Sequence, residues 1–213
     1  LVSEDVIHVA SGTYSAAVEE HFPIELPDGV TIEGPSTGSL PLIGGDLIEE
    51  EVSADALVLI DATDSNVADV TIRRLKFLGE NESGVDSPIA LKVLVSAGHT
   101  VEGLVFENNT CTRPYQNAPG AEGLPTILVS GVNAGAGGSI RNNIVDASDR
   151  GGIEVEGMVN AEDGVAGFSG LVIEDNHVSN PSGTTSAVAI SYHGLDGGAS
   201  AFSMSGPASI NRN

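Results

Sequence analysis

The chain is short of cations. Eight lysines and arginines face 30 aspartates and glutamates, for a formal net charge of −22 over 213 residues. Only Lys76 and Lys92 are lysines. Binding to phosphate by counterion release needs clustered basic side chains, so nucleic acid and anionic membrane surfaces are excluded as partners. An anionic polymer would need a divalent cation as a bridge. The surplus charge serves solubility, or suits a salty source where screening relieves self-repulsion. Tryptophan is absent and aromatics are 4% of the chain, which leaves few stacking platforms.

Cys111 is the single cysteine. That excludes an intrachain disulfide and a cysteine-based zinc site, and it leaves the compartment open. No apolar run nears the ~20 residues of a membrane helix, so no membrane-spanning segment is expected. No signal peptide is visible. The abrupt start LVSEDVIHVASGTY and the end SINRN read as cuts from a longer protein, in which case a missing leader says nothing about secretion.

What is present is β-branched and small. Hydrophobic residues make up 40%, mostly Val, Ile, Leu and Ala, and there are 27 glycines. That mixture favours short strands and many turns. No sustained helical periodicity occurs; TYSAAVEEHF (13–22) comes nearest, as one short helical turn or a loop.

A phrase recurs. GLVFENNT (103–110), SIRNN (139–143), GLVIEDNHV (170–178) and SINRN (209–213) each run from an apolar residue into asparagine. Taking that apolar residue as a marker gives Phe106, Ile140, Ile173 and Ile210, spaced by 34, 33 and 37 residues. Phe77 in LKFLGEN fits as an earlier, weaker copy, followed by Glu80 and Asn81. Three residues beyond each later marker stand Asn109, Asn143, Asn176 and Asn213. Between the markers lie strand-like stretches at 56–60, 89–95, 125–131, 151–157 and 186–192. Short strands repeating at this interval with glycine-rich turns predict a β-solenoid. Each repeat is then one turn of the coil, with equivalent strands stacked ~4.8 Å apart. Asparagine tolerates the left-handed conformation of a tight corner, and its amide can hydrogen-bond from turn to turn. The four asparagines are therefore expected as a structural ladder at one corner.

The segment DVIHVASGTYSAAVEEHFPIELPDGVTIEGPSTGS (5–39) resembles the opening module of pectin-lyase-like right-handed β-helix proteins. The likeness rests on Ile7, Val9, the GTY at 12–14, FPI at 22–24, Leu26, Pro27 and GVTI at 29–32 with Gly34. The resemblance implies an all-β, right-handed parallel β-helix of about six to seven coils. It makes the chain a single domain, 1–213, with an N-terminal module over 1–45 and regular coils over 46–213. It also implies an extracellular or cell-surface location. In such proteins a segment usually covers the N-terminal end of the coil. No such segment precedes the GTY phrase in this sequence, so the expectation is that either residues are missing or the ends are covered by a partner, because uncovered coil ends expose strand edges that recruit another chain.

Chemistry is harder to find. The resemblance implies polysaccharide cleavage or binding on an outer sheet face, with acidic residues holding Ca²⁺ and an Arg or Lys as base, or aspartates in NTD, DD and GHG motifs. None of those motifs occurs. Alternation in GGIEVEG points Ile153 and Val155 inward and Glu154 and Glu156 outward. Residues two apart on a strand face are ~7 Å apart, within the spacing of paired catalytic carboxyls. Asp149 and Arg150 precede this strand, and the next coil would place Ser191 and His193 nearby. Glu154, Glu156, Asp149, Arg150 and His193 thus form the candidate catalytic set. Asp149, Glu154 and Glu156 form the candidate metal set, with Ca²⁺ as the ion to test. The bland alternative is a solvated acidic face. Arg73 and Arg74 are expected with one side chain outward and one at an edge. No organic cofactor is indicated. Three functions fit: a structural, self-associating scaffold joined through open β-helix ends; an adhesive module contacting polysaccharide; or a polysaccharide lyase or glycoside hydrolase.

Overall fold

The computed structural model describes residues 5–15, 21–44, 56–79, 89–96, 98–112, 125–132, 135–146, 151–158, 171–179, 188–194 and 209–211. Its regular elements are strands, and every pairing is parallel. Three sheets share the chain. The first stacks β1 (Val6–His8), β4 (Thr31–Glu33), β8 (Thr71–Arg73), β11 (Thr100–Glu107), β14 (Gly135–Arg141), β17 (Leu171–Glu174) and β20 (Ser209–Asn211), with β7 (Val67–Ala68) also on β11. The second stacks β2 (Thr13–Tyr14), β5 (Leu42–Gly44), β9 (Lys76–Leu78), β12 (Thr110–Thr112), β15 (Ile144–Asp146) and β18 (His177–Ser179). The third stacks β3 (Ile24–Glu25), β6 (Ala56–Ala62), β10 (Ile89–Val95), β13 (Ile127–Val132), β16 (Gly151–Met158) and β19 (Val188–Gly194). The chain visits the sheets in fixed rotation, first, second, third. That is a parallel β-helix.

The interior is built from columns of like residues. Ile32, Ile72, Phe106, Ile140 and Ile173 lie in register through the first sheet. Ile43, Phe77, Cys111 and Val145 do so in the second. Val58, Leu91, Ile127 and Ile153 do so in the third. All of these are buried. Burying each large apolar side chain contributes ~1.5–3 kcal/mol, and stacking apolar side chains turn upon turn builds one continuous core. Phe77 and Phe106 face each other from different sheets, ring centroids 5.9 Å apart. Burial pushes the Cys111 thiol far above its usual range, so it behaves as one more apolar rung.

The register corrects one expectation. Phe106 pairs with Ile72, so the earlier copy of the marker is Ile72. Phe77 belongs to the second sheet, opposite Cys111. Asparagine concealed this, because the corner after Ile72 carries Arg74 and Leu75 where later turns carry Asn or Asp followed by Asn.

The corner also divides two tasks that the sequence assigns to one residue. The left-handed residues are Arg74, Asn108, Asn142 and Asp175, with φ of 57°, 56°, 53° and 53°. The ladder residues come next: Asn109, Asn143 and Asn176, each at most 3% exposed. The Asn143 Oδ1 accepts the Asn109 backbone N–H at 3.0 Å, and the Asn176 Oδ1 accepts that of Asn143 at 3.1 Å. The Nδ2 groups donate to the Ile72, Phe106 and Ile140 carbonyls. The ladder reaches Leu75, whose N–H is taken by Asn109 Oδ1 at 3.0 Å. Asn213 lies outside the described residues, as do Glu80 and Asn81.

Candidate functional site

Glu154 is the main departure from the sequence reading. Alternation puts it on the outward face of the third sheet, yet it is only 1% exposed. Its register neighbour Leu128 also faces away from the core and is 8% exposed. Ala56, Ile89 and Leu128 form a second buried apolar cluster apart from the main one. Outward on this sheet therefore does not mean solvated, and Glu154 is no solvent-facing carboxylate. Register places Ser191 opposite Glu154, and His193 opposite Glu156, on adjacent strands. Asp149 and Arg150 lie outside the described residues. Among the described residues no group of three or more His, Cys, Asp and Glu is placed to hold a metal ion.

A different cluster emerges on the outer face of the first sheet. The position after each inward marker is His8, Glu33, Arg73, Glu107, Arg141 and Glu174, all in register. From Glu33 to Glu174 the sign of the charge alternates from turn to turn. Glu33 sits at the centre of the first part. Its Oε2 accepts the Arg73 Nε and the Arg74 Nη2, each at 2.6 Å. The His8 Nδ1 lies 3.0 Å from its Oε1. Glu107 Oε2 accepts Arg141 Nε at 2.9 Å, and Arg73 Nη1 is 3.9 Å from Glu107 Oε1. Burial alone would raise the Glu33 carboxyl, but hydrogen bonds from Arg73 and Arg74, and their charge, hold it below the usual carboxylate range. Arg73 points outward in the column; Arg74 is the corner residue, and its Nε donates to the Gly34 carbonyl at 2.9 Å.

Sequence reasoning missed this column. The signal was there, one residue after each marker, but it alternates in sign. It is visible only once Ile32 and Ile72 join the series.

Beside the column the first two corners are long. Four residues separate His8 from Thr13 and eight separate Glu33 from Leu42, against two between Arg73 and Lys76. The long corners are tied together. Ser11 Oγ donates to the Ser39 carbonyl at 2.7 Å, and the Leu42 N–H donates to the Gly12 carbonyl at 2.8 Å. The Tyr14 hydroxyl donates to the Ala10 carbonyl at 3.1 Å, while its ring packs against the core. A cavity of about 480 Å³ lies between these corners, lined by His8, Val9, Glu33, Pro35, Ser36 and Arg74 among others. A second hollow of about 360 Å³, mostly apolar, opens within the first turn, with Tyr14, Phe22, Ile24 and Phe77 in its wall.

Among the described residues no helix is long and apolar enough to cross a membrane. Residues 2–205 match the family model described as "Protein of unknown function (DUF1565)". No curated protein and no solved structure matches the chain.

Proposed function

Since the chain belongs to the family described as a protein of unknown function (DUF1565), which assigns no activity, we propose that it is an extracellular or cell-surface β-helix acting as a structural scaffold or adhesive module. We place it near the pectin-lyase-like superfamily on the strength of the parallel coil and the GTY and GVTI phrases. One observation carries the reading: the arginines of the first sheet are committed to carboxylates of neighbouring turns. A lyase needs a basic side chain free to take a proton, and these arginines, among the described residues, are poor candidates because their charge is already paired across strands. The column instead joins turns, as a scaffold requires. Self-association would use the apolar hollow of the first turn, where Ile7, Tyr14, Phe22 and Ile24 are only partly buried.

Two measurements test this. Electron microscopy at high protein concentration should show end-to-end association, and a dispersed monomer would remove the self-associating form. A glycan panel, run with and without Ca²⁺, should give no unsaturated or reducing ends. Turnover would instead favour the lyase or hydrolase reading, with Glu156 and His193 the first residues to replace.

A further inference from the structure

The scaffold reading does not need the cavity beside the first corners, but that cavity is where the chain departs most from its own repeat. Later turns close this corner with Asn108–Asn109, Asn142–Asn143 and Asp175–Asn176. At the third turn the left-handed position holds Arg74 (φ 57°), a long side chain where a short polar one is cheapest. At the two turns before it the corner lengthens, and its loops are held by the Ser11–Ser39 and Leu42–Gly12 hydrogen bonds. An ordered, lengthened corner on a repeating frame is a usual place for a binding site.

The lining defines the ligand. Arg74 is fixed against Glu33 at 2.6 Å and against the Gly34 carbonyl at 2.9 Å, so the guanidinium N–H groups it does not spend there are held in place without reorganisation. His8, 76% exposed at its side chain, and Ser36 add polar groups. Val9, Ala10 and Pro35 supply apolar surface between them. Glu33 already offsets one of the two guanidiniums beside it and Glu107 draws on the other, and the whole molecule carries −22, so an anionic ligand is repelled on approach. A neutral molecule with many hydroxyls and C–H edges fits on every count. The volume, about 480 Å³, lies within the ~300–1,000 Å³ range of small-molecule sites and accommodates a short sugar. We infer that this corner cavity binds a neutral sugar, free or at the end of a neutral glycan, with the Glu33–Arg74 pair as its polar anchor.

The test is a two-dimensional amide NMR titration of the full chain with methyl glucoside, methyl mannoside, methyl galactoside and their disaccharides, with glucuronate as the acidic counterpart. At least one neutral probe should give saturable shifts centred on residues 8–10 and 34–36, and glucuronate weaker ones. Arg74→Asn installs the residue that Asn108 and Asn142 show to suit this corner, and it should weaken binding at least tenfold. Because that change also removes a bond to Glu33, Ser36→Trp is the companion: Ser36 is exposed, and an indole there obstructs the cavity while leaving every residue of the column and its ion pairs in the sequence. Binding unchanged in Ser36→Trp overturns the inference. So does stronger binding of glucuronate, or no saturable shift with any neutral probe up to about 50 mM, a ceiling well above the ~1 mM of even weak specific binding. None of these results bears on filament formation, so the two readings fail separately.

Discussion

Asn142 and Asn143 are chemically identical neighbours with unrelated jobs. Asn142 is exposed and bends the chain at φ 53°; Asn143 is 1% exposed and satisfies backbone groups of the turns beside it. Replacing Asn143 with Ala strands the buried Asn109 N–H and removes a donor from the Phe106 carbonyl. The expected loss is about 2–4 kcal/mol, since each unsatisfied buried group costs ~1–3 kcal/mol. Asn142→Ala should cost only about 1 kcal/mol, and Asn142→Gly close to nothing, because the penalty there is the left-handed conformation alone. Urea unfolding of the three variants checks the order. Equal losses at 142 and 143 would contradict the division of labour. Glu33 makes a second residue-scale case, with a sign. Its folded-state carboxyl lies below the ordinary value of about 4.5. Its charged form therefore stabilises the fold fully above that value, and the contribution disappears as pH falls below 4.5 towards the folded-state value. Glu33→Gln should lower the melting temperature at pH 7, and the gap to the wild type should narrow towards pH 3. The pair partners are partly exposed, so the cost at neutral pH is on the order of 1 kcal/mol.

At the scale of the strand, register is the informative quantity. Ile72, Phe106, Ile140, Ile173 and Ile210 stack because a one-residue slip would turn every core side chain outward. Four of these five were legible from sequence, since asparagine follows each at a fixed distance. Ile72 was not, because Arg74–Leu75 replaces the asparagine signal. Glu154 was misjudged for a different reason: alternation gives the direction of a side chain, and says nothing about what covers the face it points to. The charge column needed both turns and register, and so became visible only with coordinates. Stacking also sets tolerance to volume. Gly138 in β14 sits in register between Leu104 and Leu171, at φ 140°, and a Cβ there would lie 2.1 Å from the Leu104 carbonyl oxygen. Backbone cannot move aside without breaking β11–β14 pairing. Gly138→Ala should cost at least about 2 kcal/mol, against about 1 kcal/mol for Gly98→Ala, where φ is 85° and nothing lies within 4 Å. Thermal melts of the two variants test this. A smaller loss at 138 than at 98 would mean that the first sheet yields more readily than its register implies.

Over the whole molecule the charges are unevenly used. Arg73, Arg74 and Arg141 are three of only eight basic residues, and all three are spent on Glu33 and Glu107. The remaining acidic excess is left to repel itself across the surface. Two salt effects then oppose each other. Screening weakens the column, whose pairs are short and partly shielded from water, and it relieves the long-range repulsion, which acts between exposed charges many ångströms apart. The Debye length falls from ~10 Å at 0.1 M to ~3 Å at 1 M, so the distant repulsions are removed first and contacts at 2.6–2.9 Å persist. Repulsion should dominate at −22, and the melting temperature should climb steadily as sodium chloride is raised from about 0.05 to 1 M, with most of the gain at the lower end. In Glu33→Gln the same rise should persist, because the variant alters the column and barely changes the total charge. A melting temperature that falls with salt in the wild type, and does not fall in Glu33→Gln, would show instead that the ionic column outweighs the surface field in holding the turns together.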